Sequence, residues 1–182
     1  MTGQQTGGRQ RRVVISLGSN LGDRLGHLQA AVDLLCGAGG LQCRAISPVY
    51  LTAPVGGPEQ DDYLNAVLSA ETTLPAGAVL SLCQQAEHAR GRVRAERWGP
   101  RTLDADVICY DGEVSADPVL TLPHPRAHQR AFVLAPWHDI DPGAELPGRG
   151  PVTALLAAAG TDGVRLLPDA VLRLPPRRRE LP

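Results

Sequence analysis

Apolar positions change their spacing several times along this chain, and each change marks an element. Val13 to Leu17 is a short apolar run with Ser16 its only polar member, and it stops at Gly18-Ser19-Asn20, as a buried strand does. Leu25, Leu28, Ala31, Val32 and Leu35 then recur at helical spacing, which predicts a helix from Asp23 to Cys36 ended by Gly37-Ala38-Gly39-Gly40. A second strand covers Gln42 to Leu51, and a Pro- and Gly-dense loop, Thr52 to Asp61, follows it. A loop of that length in a small domain is often a functional lid. Tyr63 to Glu71 alternates as a third strand, and Pro75 opens a helix to Arg90 with Val79, Leu82, Cys83 and Ala86 inward. Thr102 to Tyr110 reads as a fourth strand, closed by Asp111-Gly112, a two-residue hairpin signal. The segment Leu120–Pro125 leads into a short helix, Arg126 to Ala135, and residues 151–159 make one more.

The order β-α-β-β-α-β in the first 110 residues predicts an α+β fold with a ferredoxin-like βαββαβ core, its antiparallel sheet packed by helices on one face. Residues 1–10, rich in Gly, Gln and Thr, and 168–182, where Pro and Arg dominate, are expected to be disordered. That leaves 11–167 as a single domain.

Charge narrows the partners. A net charge of −1 and a pI near 6.5 give no bulk attraction to nucleic acid or to a membrane surface. All 18 basic residues are Arg, so neither a Schiff-base lysine nor a Walker-type phosphate lysine is available. Cys36, Cys43, Cys83 and Cys109 lack metal-ligand spacing and are expected to be buried thiols in a reducing compartment. The apolar run near the amino terminus is too short for a signal peptide or a membrane span, so a cytoplasmic monomer is expected.

Positive charge is instead local. Residues 90–101 hold Arg90, Arg92, Arg94, Arg97 and Arg101 against Glu96 alone, around Trp98, Gly99 and Pro100. Long, mutually repelling arginines between glycines predict a mobile lid over residues 91–101 that closes on a polyanion. Directly after it, Asp104 and Asp106 stand at i and i+2 of a strand, so both carboxylates aim at one face, while Leu103, Ala105 and Val107 take the other. A hard divalent ion such as Mg²⁺ relieves that repulsion and keeps room for phosphate oxygens. Arginine forks beside such an ion suit a polyphosphate.

The string Arg97-Trp98-Gly99-Pro100-Arg101-Thr102-Leu103-Asp104-Ala105-Asp106 resembles the signature of the 6-hydroxymethyl-7,8-dihydropterin pyrophosphokinase family, whose members move a pyrophosphoryl group from ATP to a pterin alcohol in folate biosynthesis. The likeness runs over about residues 13–142 and includes Gly-Ser-Asn-Leu-Gly after the first strand. That Gly-Ser-Asn also resembles an anion-binding turn at a helix start. The family's Tyr-x-Thr-x-Pro…Asp-Tyr-Leu-Asn pattern is met by Tyr50, Thr52, Pro54, Asp62, Tyr63, Leu64 and Asn65. Its Leu-Pro-His-Pro-Arg-x-His-x-Arg-x-Phe is met by Leu122 to Phe132.

The resemblance implies ATP as co-substrate, two Mg²⁺ ions on Asp104 and Asp106, and catalytic roles for Arg92 and Arg101 on the transferred group. Asn65 would bond the pterin edge, Thr52, Pro54, Val55 and Tyr63 would line its slot, and Phe132 would stack on it. The ATP side would comprise Leu80, Gln84, Glu87, Arg92, Trp98, Arg101, Val107, Thr121, His124 and Arg130. Two departures stand out: Gln129 replaces a frequent acidic residue, and Val119 stands where some members carry Arg. Two other classes are compatible with parts of the pattern. A nucleic-acid-binding ferredoxin-like module would need aromatic-bearing strands that the chain lacks. A metal-dependent phosphohydrolase would need more carboxylates or histidines than this strand supplies.

Overall fold

The computed structural model describes residues 9–54, 58–91 and 99–176. In chain order the first elements are β1 (Arg11–Ser19), α1 (Arg24–Gly37), β2 (Leu41–Ile46), β3 (Tyr50–Thr52), β4 (Tyr63–Thr72), α2 (Ala76–Ala89) and β5 (Asp104–Tyr110). After them come β6 (Ser115–Ala116), β7 (Thr121–Leu122), α3 (Ala131–Ile140), β8 (Glu145–Leu146), β9 (Gly150–Pro151), α4 (Val152–Ala159) and β10 (Val164–Leu166). The main sheet runs β10-β3-β4-β1-β5, with β2 also paired to β4, and every pairing is antiparallel. This is the ferredoxin-like arrangement the element order predicts.

β1 lies between β4 and β5, and both of its faces are apolar. Val13, Ile15 and Leu17 face α1 and α2, where they meet Leu28, Val32, Leu35, Val79 and Cys83. Val14 faces the other way, into a second core with Ile108, Val133, Leu134 and Trp137. Helices therefore cover both faces of the sheet, and the expected single packed face is corrected. Each fully buried Leu or Ile contributes about 1.5–3 kcal/mol relative to exposure, so the sheet is a stiff floor for whatever stands on it. At the start of α1, Asp23 Oδ1 accepts from the Gly26 N–H at 3.0 Å and caps the helix.

Several boundaries differ from expectation for identifiable reasons. The single strand expected over Gln42 to Leu51 is two, because Pro48 has no N–H to give to a ladder. Ser47 replaces the missing bond: its Oγ accepts from Val67 N at 2.8 Å and donates to the Pro48 carbonyl at 2.8 Å. The Asp111-Gly112 turn forms, with Gly112 at φ 70°, but it does not make the expected hairpin, since β6 pairs with β7 and not with β5. The helix expected over Arg126 to Ala135 begins later and runs on through Pro136, burying Trp137. From Pro168 to residue 176 the chain, expected to be loose, lies against α1. Leu172 is buried there, and Gln29 exchanges hydrogen bonds with the Arg173 backbone.

The cysteines also depart from expectation. Cys36 and Cys43 form a disulfide, their Cα atoms 5.5 Å apart, because the Gly-rich reversal after α1 brings β2 back beside the helix end. Cys83 and Cys109 remain thiols. Burial pushes both up to about 12, so neither is a thiolate near neutral pH. Among the described residues no helix is long and apolar enough to cross a membrane.

Candidate active site

Strand register lays the functional residues out in rows. Asn65 on β4 pairs with Gly18 on β1, which pairs with Asp104 on β5. One row further along, Val67, Ser16 and Asp106 align in the same way. With strands spaced about 4.8 Å apart, the Asn65 amide and the Asp104 carboxylate stand on one face roughly 10 Å from each other. Glycine at position 18 keeps the floor between them bare. A Cβ there would come 3.2 Å from Asn65 Oδ1 and 4.0 Å from the Asp104 Cβ.

Over this floor lies a cavity of about 1000 Å³. Thr52, Pro54, Tyr63, Asn65 and Phe132 line one part of it, and Arg101, Asp104, Asp106 and Arg130 line another. The expected acceptor slot and acid–arginine site are thus one space. A more open hollow of about 570 Å³ beside Leu34, Leu74 and Leu82 carries no charged side chain. On the slot side, Asn65 is buried and its Nδ2 donates to Thr52 Oγ1 at 2.7 Å, which fixes the amide's orientation. Phe132, in the first turn of α3, packs under the Arg130 guanidinium, whose carbon is 5.5 Å from the ring centre.

On the acidic side, Arg101 donates to Asp104 Oδ2 at 2.6 Å. Asp106 Oδ2 lies 3.8 Å from Arg130 and 4.0 Å from His124 Nε2. His124 follows a cis Leu122–Pro123 bond, and its Nδ1 accepts from the Arg126 backbone N–H at 3.2 Å. The proton therefore sits on Nε2, facing Asp106. Burial, with the Arg130 charge beside it, lowers His124 to about 4, so it is a neutral donor at physiological pH. Burial also lowers Arg130, while Asp106 and Asp104 oppose that shift. A half-buried guanidinium held in place beside the two carboxylates is a preorganised anion contact that needs little rearrangement.

Asn20 ties the loops around this site together. Its Oδ1 accepts from the Arg101 backbone N–H at 2.7 Å, and its own N–H donates to the Arg101 carbonyl at 3.0 Å. Its Nδ2 donates to Gln60 Oε1 at 2.8 Å and to the Asp61 carbonyl at 3.0 Å. The Gly-Ser-Asn segment is thus a staple between two loops, with the Asn20 N–H engaged by the Arg101 carbonyl.

Not every expected residue reaches the cavity. Val55, Arg92 and Trp98 lie outside the described residues, as does most of the expected lid over 91–101. Leu80, Gln84, Glu87, Val107, Thr121 and His124 do not line it. Val107 points into the helix-side core, Gln84 is exposed on α2, and Thr121 donates to the Asp117 carbonyl at 2.9 Å. Glu87 is buried, and its carboxylate accepts from the Ala105 N–H at 3.0 Å. That bond holds the backbone between Asp104 and Asp106. Among the lining residues, Gly18 and Arg126 fall within the quoted motifs but were given no role, and Ser16, Gln60, Ala159, Gly160, Asp162, Gly163 and Val164 carried no local signal in the sequence. For Ser16 and Gly18 the alternation of β1 could have found them, once its pairing with β5 was known.

An antiparallel α+β sheet carrying one cavity that joins a carboxylate pair and arginines to an amide-bearing slot suits an enzyme of phosphoryl-group transfer to a flat polar acceptor. Residues 14–142 match the family described as 7,8-dihydro-6-hydroxymethylpterin-pyrophosphokinase, and the chain belongs to that family. A 2-amino-4-hydroxy-6-hydroxymethyldihydropteridine pyrophosphokinase of Mycobacterium bovis is 50% identical over 171 residues, covering 85% of this chain and 89% of the relative. The enzyme of that name from Pseudomonas aeruginosa is 38% identical over 160 residues, covering 88% and 99%. A crystal structure of a Plasmodium falciparum HPPK-DHPS triple mutant with pteroate superposes with a TM-score of 0.68 at 12% identity. It covers 89% of this chain but only 47% of its own, and at that identity it speaks to fold alone.

Proposed function

We infer that this chain transfers the pyrophosphoryl group of ATP to the hydroxymethyl group of 6-hydroxymethyl-7,8-dihydropterin in folate biosynthesis, giving the pterin diphosphate and AMP. The observation that carries the reading is the row Asn65–Gly18–Asp104. It puts an amide donor–acceptor and a carboxylate at the two ends of a bare floor about 10 Å long, which is the span of a bicyclic pterin and its hydroxymethyl arm. In the reaction the hydroxymethyl oxygen bonds to the β-phosphorus, the bond from that phosphorus to the α–β bridging oxygen breaks, and the hydroxyl proton is lost to solvent. AMP leaves with the bridging oxygen.

On this reading Asn65 and Thr52 orient the pterin edge, and Tyr63 and Phe132 supply the flat apolar faces. Arg101 and Arg130 face the polyphosphate, where negative charge builds as the β-phosphorus is attacked, and the Nε2–H of His124 is directed at Asp106 beside them. Catalysis of this kind is mostly positioning and charge, so rigid residues on β4, β5 and α3 suffice without a dedicated base.

Asp104 and Asp106 fit Mg²⁺ by the chemistry of the donor set. Two carboxylates reach the cavity from one strand face. A hard ion held by one or two carboxylates keeps sites for phosphate oxygens. When bound, it supplies charge neutralisation on those oxygens.

The test separates the two ends of the cavity. Asn65→Ala is expected to weaken pterin binding about tenfold or more, with affinity for a non-hydrolysable Mg·ATP analogue unchanged. Asp104→Asn and Asp106→Asn are expected to remove turnover while pterin still binds to nucleotide-free enzyme. Near-parent turnover in either Asp variant at ordinary Mg²⁺, or unchanged pterin binding by Asn65→Ala, contradicts the assignment.

A further inference from the structure

Ser16 is the one polar residue in the apolar run Val13–Leu17, and it is only 8% exposed. Val14 and Gly18, two residues to either side, share its face of β1. Val14 lies in the second core and Gly18 in the cavity floor, so Ser16 stands where core gives way to cavity, and it lines the cavity. Across the β1–β5 ladder Ser16 pairs with Asp106, as Gly18 does with Asp104. Paired residues of an antiparallel ladder have Cβ atoms about 4.5–5.5 Å apart on one face, so a serine hydroxyl reaches the carboxylate opposite by rotation about χ1. On its other side Ser16 pairs with Val67, a buried apolar side chain. Among the described residues Ser16 makes no side-chain hydrogen bond. The two carboxylates are also held differently. Arg101 grips Asp104 at 2.6 Å, whereas the contacts of Asp106 with Arg130 at 3.8 Å and with His124 at 4.0 Å are longer than hydrogen bonds.

We propose that Ser16 is a positioning residue for the metal ligand Asp106, its hydroxyl donating to the Asp106 carboxylate and holding it toward the ion. Substrates that fill the cavity displace water from its wall, and a hydroxyl dehydrated in that way needs an acceptor. The ionised carboxylate directly across the ladder is the strong acceptor within its reach. A carboxylate that binds a metal through one oxygen is aimed by an outer hydrogen bond to the other. Arg101 stands in that place for Asp104, and Ser16 takes it for Asp106. A neutral hydroxyl does so without adding a positive charge that would repel the cation. The inference rests on the reading of Asp104 and Asp106 as Mg²⁺ ligands.

The experiment measures binding of Mn²⁺, in place of Mg²⁺, by electron paramagnetic resonance in the presence of a non-hydrolysable ATP analogue. The proteins compared are the parent enzyme, Ser16→Ala, Ser16→Thr and Asp106→Asn. Ser16→Ala is expected to weaken Mn²⁺ about tenfold or more, the scale of removing an outer partner of a metal ligand. Ser16→Thr, which keeps the hydroxyl, is expected to restore most of that loss. Binding of 6-hydroxymethyl-7,8-dihydropterin to nucleotide-free Ser16→Ala is expected to stay within about twofold of the parent, a readout that a merely structural loss in β1 would move. Mn²⁺ affinity of Ser16→Ala within about twofold of the parent overturns the proposal, and so does equal weakening by the Ala and Thr variants, since the hydroxyl is then not the cause. If Asp106→Asn weakens Mn²⁺ while Ser16→Ala does not, the metal site stands and Ser16 alone is excluded. If Asp106→Asn also changes nothing, the metal reading fails with it.

Discussion

Replacing Asn20 with alanine deletes three hydrogen bonds at once: one from Arg101 N and two to Gln60 and Asp61. Only the backbone bond from Asn20 N to the Arg101 carbonyl survives. Each lost bond is worth about 1 kcal/mol net, and a buried backbone group left without a partner costs about 1–3 kcal/mol. With both loops held rigid the loss would be on the order of 3–4 kcal/mol. The loops can relax toward water instead, which lowers the stability cost to about 2 kcal/mol and moves the damage into function. In a domain of this size that is a fall in Tm of roughly 4–8 °C. A displacement of Arg101 by about 1 Å is then expected to reduce kcat by roughly 10²-fold.

Asn20→Asp separates the two arms of the staple. It keeps an oxygen for the Arg101 N–H but loses the donor to Gln60 and Asp61, so kcat is expected within several-fold of the parent while the pterin KM rises. Steady-state kinetics with each substrate varied, beside thermal unfolding, read all of this. An Asn20→Ala enzyme with parent kcat and parent KM values for both substrates would refute the positioning role.

Arg101→Ala is expected to lower kcat by roughly 10²–10³, the scale of removing one donor to developing charge. An effect confined to the KM for ATP would move Arg101 to uniform ground-state binding. Native protein treated with a thiol alkylator at pH 8 is expected to spare Cys83, which is fully buried and whose thiol burial holds near 12. Unfolding without reductant should then expose two reactive thiols, and unfolding with reductant four, by mass spectrometry. Four labels without reductant would contradict the Cys36–Cys43 bridge.

How much of this was legible in the chain depends on how local the cause is. The shared aim of Asp104 and Asp106 follows from a period of two, and the burial of Val13, Ile15 and Leu17 from the apolar run that contains them, so both are readable locally. The break between β2 and β3 was also local, since Pro48 marks it, but the Ser47 bond that repairs the ladder needs β4 in place. Asn20 is different in kind. Its partners lie about 40 and 81 residues away, and an amide's partners cannot be read from its neighbours in sequence. The same holds for Cys36 and Cys43, paired by the reversal after α1, and for Asp162, brought to the cavity only when β10 returns to β3. Glu87 was picked out for the nucleotide, and the structure gives it a backbone to hold, a role visible only once α2 packs beneath β5.

The central claim is that one cavity brings a pterin hydroxyl to the β-phosphorus of ATP, and phosphorus-31 NMR of the complete reaction tests it directly. Enzyme, Mg²⁺, ATP and 6-hydroxymethyl-7,8-dihydropterin are expected to convert the three ATP resonances into an AMP signal and a coupled pair from a diphosphate ester, in equal amounts. The conversion should require both pterin and Mg²⁺. Appearance of ADP with a pterin monophosphate would mean attack at the γ-phosphorus, and release of nucleotide without pterin would mean hydrolysis; either result contradicts the account.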